Sequence, residues 1–307
     1  MEQSKEAMKL EIKDYKRRHF NTSIKTVMLF ILLAMELAFI GIFAIKSGLA
    51  PNPIPDKESQ VAVVNFNKEV TVDYVHQLMV AIDKEIEKDN VKEILIVFNS
   101  PGGSPSASEE MSEYLKDIQK KKPVSVYLES LAASGAYYIA SAVRPIVANK
   151  NAIVGSIGVI MPHYSFGKLA DTIGVKEDYL AAGKFKKPVS LLKELDAENK
   201  EYLMTNMLKP TYKNFVQSVA DNRGMTYEKI SEYAEGTIFI ANDPRIKGIL
   251  VDKISSYHQV KKDMRKKYGK DTIFYKIGED KKGGLFPLNA SIDINLANIK
   301  SSTLELK

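Results

Sequence analysis

The sequence ILIVFNSPGGS, at residues 94–104, joins an uninterrupted apolar run to a turn that contains two adjacent glycines. Five consecutive apolar residues, rich in Ile and Val and bounded by turn residues, are typical of a buried strand. A helical pattern follows at about residues 106–120, and a second β-rich run, VSVYL, follows at residues 124–128. The stretch therefore predicts a strand, a helix and a second strand in succession.

The same alternation extends to both sides of this unit. The run VAVVNF at residues 61–66 precedes an amphipathic helical pattern, and further strands are predicted near IVAN, residues 146–149, and GVIM, residues 158–161. A long helix is predicted at about residues 196–222, and Gly224 lies just beyond it, where a left-handed C-cap is expected. This rhythm predicts βαβ units, and hence an α/β fold with a largely parallel sheet covered by helices.

The length and composition narrow the class of protein. The chain has 307 residues, of which 45% are hydrophobic and 27% charged, which fits one α/β domain of about 200–250 residues plus a membrane segment. The net charge is +6, but basic residues are mixed with acidic ones along the chain, so nucleic acid is not an expected partner. There is no cysteine, which excludes disulfides, zinc–thiolate sites and a cysteine nucleophile.

The run VMLFILLAMELAFIGIFAI, at residues 27–45, is almost entirely apolar. As a helix, at about 1.5 Å per residue, it roughly matches the thickness of a bilayer core. The preceding residues 1–26 are rich in Lys and Arg, which favours a cytoplasmic N-terminus. We therefore predict a cytoplasmic tail at residues 1–26, a single-pass anchor at residues 27–45 in the inner (cytoplasmic) membrane, and an extracytoplasmic remainder.

Two features of the anchor leave alternatives open. Gly48 and Ala50 resemble the small residues of a signal-peptidase site, but Pro51 follows directly and the charged region before the span is long, so an uncleaved anchor is favoured. Glu36 lies within the span, where it is either tolerated by the surrounding apolar residues or contacts a partner helix.

The remainder of the chain divides into a linker and a folded domain. Residues 46–59 hold three prolines and few apolar side chains, which is typical of a short extended linker. The domain is predicted at residues 60–307, with a C-terminal extension after about residue 256.

The glycines of NSPGGS, at residues 99–104, follow a predicted strand and precede a predicted helix. Adjacent glycines adopt backbone conformations that are closed to other residues and expose N–H groups to a ligand. An oxyanion hole needs such donors, although a plain tight turn is the simpler interpretation of these residues alone. A nucleotide-binding loop is not indicated, because no Gly-Lys-Ser/Thr follows.

A second motif, AASGAYY at residues 132–138, also lies at a predicted strand-to-helix junction. The small residues around Ser134 permit close approach of a substrate, and the amide of Gly135 at a helix N-terminus would face an oxyanion formed by attack from Ser134. A serine that only caps the helix is the common alternative.

A nucleophilic serine needs a base, and the sequence offers two kinds. Of the four histidines, only His163 could reach these motifs, which leaves a Ser-His-Asp triad open; no His-Glu-x-x-His motif indicates a metal hydrolase. Lys184, Lys186 and Lys187 are clustered in AAGKFKKPVS, and desolvation or crowding among cations disfavours the charged form of a lysine. A solvated basic loop is the alternative interpretation of this cluster.

Taken together, six segments resemble the signal peptide peptidase A (protease IV) family of Ser/Lys serine proteases, in its short single-copy type. They occur in the order NSPGGS, AASGAYYIAS, VGSIGVI, GKFKK, FVQSVADNRG and GILVD, between about residues 61 and 254. The resemblance implies that Ser134 is the nucleophile and that Lys186, at the family's Gly-x-x-Lys spacing, is the general base.

The resemblance also implies the supporting residues of such a site. Gly103 and Gly135 match the family's oxyanion donors, with Gly102 adjoining them. Ser156, in VGSIGV, matches a serine expected to hydrogen-bond and orient the catalytic lysine. No metal or cofactor is expected.

Fold, assembly and activity follow as further expectations from the resemblance. The fold is expected to be similar to that of Clp protease and the crotonases, and the chain is expected to form a ring-like homo-oligomer, such as an octamer. The expected activity is hydrolysis of membrane-proximal hydrophobic peptides, such as signal-peptide remnants. Two rivals are weighed against it: a catalytically silent ring-forming membrane scaffold, and a crotonase-like acyl-CoA enzyme, which an extracytoplasmic location disfavours.

Overall fold

The computed structural model describes residues 2–46 and 58–278. The chain divides into two compact units, Met1–Lys57 and Glu58–Lys307. Most of the predicted linker, residues 47–57, and the chain after residue 278 lie outside the described residues.

The first unit contains one helix, α1, at Glu2–Lys46. Its segment Ser23–Phe43 has 21 residues and a mean hydropathy of 2.5, so by length and composition it can cross a membrane. This segment overlaps the span predicted at residues 27–45, and the basic residues before it belong to the same helix.

The second unit begins with the predicted alternation of strands and helices. The elements of its first half are β1 Gln60–Phe66, α2 Val72–Ile86, β2 Val91–Ser100, α3 Pro105–Ile118 and β3 Val124–Ala133. Polar side chains cap the first turns of two helices: Thr71 caps α2 by accepting from the Tyr74 amide, and Ser104 caps α3 ahead of Pro105.

The second half has shorter strands and more helices. Its elements are α4 Gly135–Ser141, β4 Ile146–Ala148, β5 Ile153–Gly155, α5 Gly167–Thr172, α6 Ala197–Leu203, α7 Lys209–Arg223, α8 Tyr227–Ser231, β6 Ile238–Ile240, β7 Lys253–Ile254, α9 Tyr257–Tyr268 and β8 Ile273–Ile277. A π-helical segment, Met204–Leu208, joins α6 to α7, and a single 3₁₀ turn lies at Pro244–Ile246.

The eight strands form one sheet in the order β6-β5-β3-β2-β1-β8, with β4 beside β3 and β7 beside β4. All pairings are parallel except that of β5 with β6. The predicted α/β fold with a largely parallel sheet is therefore confirmed.

Burial on both faces explains why the central strands read as continuous apolar runs. In β1, Ala62 and Val64 face the large core beneath α2, α3 and α4, whereas Val61 and Val63 face a smaller cluster that includes Met264 of α9. A strand covered on both sides has no polar face, so apolar residues occupy both side-chain directions.

One sequence prediction on this half differs from the structure, and two are confirmed. The strand predicted at residues 158–161 is wrong: the strand is β5, which ends at Gly155, because Ser156 has φ 52° and turns the chain out of the sheet. The predicted strand near residues 146–149 is confirmed as β4. Gly224 caps α7 with φ 64° and ψ 40°, as expected for a left-handed C-cap.

The segment after residue 256 is part of the fold as far as it is described. Helix α9 covers the second face of the sheet, and β8 adds a parallel strand to β1, with Val63 opposite Lys276. The end of the predicted C-terminal extension, residues 279–307, lies outside the described residues.

Candidate active site

Ser134 lies in the tight turn between β3 and α4. Its backbone angles, φ 53° and ψ −127°, fall in a region that non-glycine residues rarely adopt, at a cost of about 1–3 kcal/mol. Two hydrogen bonds hold the turn: the Ser134 N–H donates to the Gly155 carbonyl at 2.8 Å, and the Tyr138 N–H donates to the Ser134 carbonyl at 3.0 Å. The turn therefore fixes the direction in which the Ser134 side chain leaves the sheet.

The Ser134 hydroxyl does not cap the helix. Ser134 occupies the N-cap position of α4, but its side chain makes no capping hydrogen bond. The capping interpretation is therefore wrong for this serine, and the residue lines two cavities instead.

The glycine loop between β2 and α3 packs directly against this turn. A Cβ added to Gly102 would lie 2.6 Å from the Ala133 carbonyl oxygen, 2.7 Å from the Gly135 nitrogen and 2.8 Å from the Ser134 Cβ. No side chain fits at those distances, and the φ of Gly102, 96°, also favours glycine. Glycine at position 102 is needed because two backbones approach each other here.

Two backbone N–H groups beside Ser134 are unpaired. The amides of Gly103 and Gly135 have no acceptor within the described part of the chain, and a Cβ on Gly135 would lie 3.3 Å from the Gly103 nitrogen. The Gly135 amide is in the first turn of α4, where N–H groups have no intrahelical partner. The Gly102 amide, in contrast, donates to Ser100 Oγ at 3.3 Å. Adjacent unpaired donors of this kind can bind an anion or a polarised carbonyl oxygen.

Ser156 belongs to the same site. It directly follows Gly155, whose carbonyl accepts from the Ser134 amide, and its own N–H donates to the Thr237 carbonyl at 2.8 Å. Ser134 and Ser156 line the same cavity. The structure thus brings together five of the six residues that the sequence singled out.

The sixth, Lys186, is exposed in the loop between α5 and α6. Lys184 pairs with Glu198 and Lys187 pairs with Glu177, whereas Lys186 has no acidic partner among the residues described here. Two of the three cations are therefore neutralised, which relieves the crowding of like charges that the sequence suggested. Of the three lysines in GKFKK, Lys186 is the one without an ion pair in the part of the chain that the structure describes.

This loop is anchored at its centre. The Phe185 ring stacks on Tyr202 of α6 with a centroid distance of 4.0 Å and an interplanar angle of 4°, and the Lys186 amide donates to the Gly183 carbonyl at 3.2 Å. Lys186 does not line either cavity that Ser134 lines. Within a single chain, the described residues thus form a serine site whose walls contain no lysine.

The alternative base, His163, is engaged elsewhere. Its Nε2 lies 2.9 Å from the Ser190 carbonyl oxygen, and His163 lines neither cavity. The Ser-His-Asp alternative gains no support from this arrangement.

The two cavities differ in size but share one wall. The first, of about 330 Å³, lies between α3, α4 and α7, and the second, of about 670 Å³, opens beside the glycine loop. Gly103, Ser134, Gly158, Val159 and Ile160 line both.

The charges around both cavities are negative. Glu109 lines the first cavity, Glu69 and Glu235 line the second, and no basic side chain from the described residues lines either one. Burial raises the pKa of the Tyr138 hydroxyl, a hydrogen bond with Ser218 lowers it, and the Glu109 carboxylate raises it further.

Comparison with known proteins shows the family of the chain. The sequence model of peptidase family S49 matches residues 116–271, just over half of the chain, and the match includes Ser134, Ser156 and Lys186. The chain belongs to peptidase family S49. This membership is in line with the resemblance to signal peptide peptidase A.

Two relatives and one solved structure illustrate the similarity. A protein of Methanocaldococcus jannaschii that is named as a protease is 40% identical over 173 residues, which are 56% of this chain and 55% of that one. The chloroplastic serine protease SPPA of Arabidopsis thaliana is 31% identical over 178 residues, 57% of this chain and 26% of that one. A ClpP1 mutant from Listeria monocytogenes has a TM-score of 0.44 and 15% identity over 64% of this chain and 92% of its own. The chain thus spans about half, or less, of the curated relatives described here.

A buried network supports the serine turn of this S49 chain from behind. Arg223, whose side chain has no exposed surface, forms two hydrogen bonds with the Asp252 carboxylate, at 2.9 Å and 2.6 Å. The same carboxylate accepts from the Ile146 amide at 2.7 Å, and Tyr137 of α4 donates to the Leu250 carbonyl at 3.0 Å. The segments FVQSVADNRG and GILVD carry these residues, but nothing local in either segment indicated that the two meet.

Proposed function

We propose that this chain is a membrane-anchored serine endopeptidase in which Ser134 is the nucleophile and Lys186 the general base. The observation that carries the proposal is the position of Ser134. A strained turn places its side chain, which does not cap α4, beside two amides that are unpaired among the described residues. A serine without a capping role, next to ready-made oxyanion donors, supports covalent catalysis of acyl transfer.

The proposed reaction proceeds through an acyl-enzyme. Neutral Lys186 removes the Ser134 hydroxyl proton as the oxygen attacks the peptide carbonyl, and the amides of Gly103 and Gly135 stabilise the tetrahedral oxyanion. Protonated Lys186 then gives its proton to the leaving amine. A water activated by the same lysine hydrolyses the acyl-enzyme and restores Ser134.

Gly102 and Ser156 have supporting roles in this proposal. Because Gly102 has no side chain, the glycine loop can pack against Ser134. Gly102 thus shapes the oxyanion site, while its own amide donates to Ser100 Oγ within the loop. Ser156, which lines the cavity of Ser134, would accept or donate a hydrogen bond to the lysine amine and orient it.

We further propose that a neighbouring copy of the chain supplies Lys186 and that the copies form a ring, such as an octamer. Three observations support it. Lys186 is exposed and has no acidic partner among the described residues, and its loop is anchored by the Phe185–Tyr202 stack. The second cavity carries Glu69 and Glu235, and none of the described residues that line it is basic. An acidic cavity attracts a cation during assembly. Burial of Lys186 between two copies would disfavour its charged form, and this desolvation must outweigh the opposite effect of Glu69 and Glu235 for the lysine to act as a base.

The location and substrates complete the proposal. The apolar segment Ser23–Phe43 would hold the chain in the inner membrane with its basic N-terminus in the cytoplasm and the peptidase domain outside. Substrates would be signal-peptide remnants and other hydrophobic peptides released near that membrane surface.

A serine-reactive fluorophosphonate probe tests the central assignment. The full-length chain in detergent is expected to be labelled, and Ser134→Ala is expected to lose the label. Ser106→Ala is the matched control, because Ser106 lines the same cavity, and it should keep the label. An unlabelled wild-type protein of intact fold and assembly would favour the silent scaffold and contradict the proposal.

A further inference from the structure

The first cavity has an apolar wall beside Ser134. Tyr138 of α4, Phe215 of α7 and Val159 line it together with Ser134. Tyr138 and Phe215 stack at a centroid distance of 5.2 Å, which makes this wall one continuous aromatic surface. A volume of about 330 Å³ is at the small end of ligand cavities and suits one long side chain better than an extended peptide.

Among the described residues that line the same cavity, Glu109 of α3 is the one charged group. Glu109 is exposed, so its carboxylate stands where the cavity opens to solvent. It forms no ion pair or hydrogen bond within residues 58–278, and its helix neighbours at positions 112 and 113 are Ser112 and Glu113, neither of which is a cation. The Glu109 carboxylate also acts on the cavity wall. Burial has the largest effect on the pKa of Tyr138 and raises it, the Ser218 hydrogen bond lowers it, and the negative charge of Glu109 comes next and raises it.

These features match the anatomy of a basic side chain. Lys and Arg have a long apolar stem and a charged tip, and they bury the stem while the tip stays near water. In this cavity the stem would lie along Tyr138, Phe215 and Val159, and the tip would meet the unpaired Glu109 carboxylate. A neutral side chain would gain no such attraction, and an acidic one would be repelled by the carboxylate.

We infer that the first cavity selects peptides with Lys or Arg at the residue that contributes the scissile carbonyl, and that Glu109 determines this preference. The inference rests on the proposed peptidase function and specifies its substrate class. Signal-peptide remnants contain a positively charged segment followed by an apolar one. The enzyme would then cut such a remnant directly after a basic residue near this boundary, where the apolar part begins.

Matched fluorogenic peptides test the inference. Three peptides would differ only in the residue before the cleaved bond, which would be Lys, norleucine or Glu, and each would be hydrolysed by the full-length protein in detergent. The lysine peptide is expected to have the highest kcat/KM. In Glu109→Gln, the ratio of kcat/KM for the lysine peptide to kcat/KM for the norleucine peptide should fall roughly fivefold, the upper range for a solvent-exposed ion pair. In Glu109→Lys, kcat/KM for the glutamate peptide should rise relative to kcat/KM for the lysine peptide.

Glu110→Gln is the control, because Glu110 is the next residue on α3, is exposed and does not line the cavity; its ratio should equal that of wild type. Cleavage of all three peptides with similar kcat/KM, or a ratio unchanged by Glu109→Gln, would overturn the inference and leave the peptidase function standing. If wild type cleaves none of the peptides and takes up no fluorophosphonate, the proposed function is wrong and the inference falls with it.

Discussion

Three lysines lie within four residues of one loop, and their partners distinguish them. Lys184 and Lys187 are bound to Glu198 and Glu177, so each of these amines is already occupied by a carboxylate. Lys186 lacks such a partner among the described residues, so it is the one lysine of the three whose amine is left to contact a serine. Sequence spacing and ion pairing thus select the same residue.

Alanine substitution of each lysine tests this choice. Lys186→Ala is expected to lower kcat/KM by about 10³-fold, within the range that a positioned general base contributes, because Ser134 would lose its proton acceptor. Lys184→Ala and Lys187→Ala are expected to lose far less, since they remove only exposed ion pairs. Peptide hydrolysis by the three purified variants is the measurement.

The opposite pattern would contradict the assignment. Wild-type rates in Lys186→Ala with an inactive Lys184→Ala or Lys187→Ala would mean that the base is another lysine of the loop. Inactivation by His163→Ala alone would instead restore the Ser-His-Asp alternative, despite the contact between His163 and the Ser190 carbonyl.

A buried ion pair joins Arg223 of helix α7 to Asp252, the residue before strand β7, and Asp252 also accepts from the Ile146 amide of β4. This network holds the elements behind the serine turn. Although burial opposes ionisation, the Arg223 hydrogen bonds and the Ile146 amide lower the pKa of Asp252. Removing one partner of such a pair leaves the other buried and unpaired, which costs about 3 kcal/mol or more. Asp252→Ala is therefore expected to lower the free energy of unfolding by about that amount.

The same pair predicts a dependence of stability on pH. Because the pKa of Asp252 is lower in the folded than in the unfolded chain, its stabilising contribution is complete above the unfolded value, about 3.9, and is lost as the pH falls through the folded value. Chemical unfolding of the full chain in detergent between about pH 6 and pH 3 would measure a shallower pH dependence for Asp252→Ala than for wild type. Asp271→Asn, an exposed carboxylate near β8, should retain the wild-type slope; equal slopes for wild type and Asp252→Ala would contradict the role of the pair.

Helix α1 predicts the topology of the chain. The lysines and arginines before Ser23–Phe43 favour a cytoplasmic N-terminus, so the domain that begins at β1 is expected on the outer side. Protease added to intact spheroplasts should digest this domain, and an epitope fused to the N-terminus should survive until the cells are lysed. A domain that is protected in spheroplasts and digested only after lysis would reverse the orientation.

If neighbouring copies share each active site, two inactive variants should restore activity when they are mixed, which sites formed within one chain would not do. Ser134→Ala and Lys186→Ala are each expected to be inactive, but a mixture that exchanges subunits should regain activity. In a ring with one type of head-to-tail interface, about a quarter of the interfaces in an equal mixture would pair an intact Ser134 with an intact Lys186. Peptide hydrolysis would therefore return to roughly that fraction of the wild-type rate.

Native mass spectrometry supplies the control for this experiment. The two variants would carry different mass tags, so mixed oligomers can be seen directly. Mixed oligomers without any regained activity would exclude a shared site, while leaving Ser134 and Lys186 as candidates within one chain.

Local sequence patterns were sufficient for much of this protein. Apolar runs of strand length alternating with amphipathic helices predicted the parallel sheet, because burial on both faces requires continuous apolar strands. The length and composition of α1 predicted the candidate span, and a serine between small residues at a strand-to-helix junction made Ser134 a candidate, with a helix cap as the alternative. Each of these signals depends on residues that are close together in the sequence.

Contacts between distant segments were decided only by the folded chain. The glycine at position 102 is required because its loop contacts a turn more than thirty residues away in the sequence. Ser134 makes no capping hydrogen bond, although a serine directly before a helix is commonly a cap. Packing of distant segments also decides three other features. They are the Arg223–Asp252 pair, the carboxylates bound to Lys184 and Lys187, and the end of β5 at Gly155. Hydrophobic periodicity indicates which face of a helix or strand is apolar. Which residue packs against that face is decided by the tertiary structure, because the two residues are far apart in the sequence.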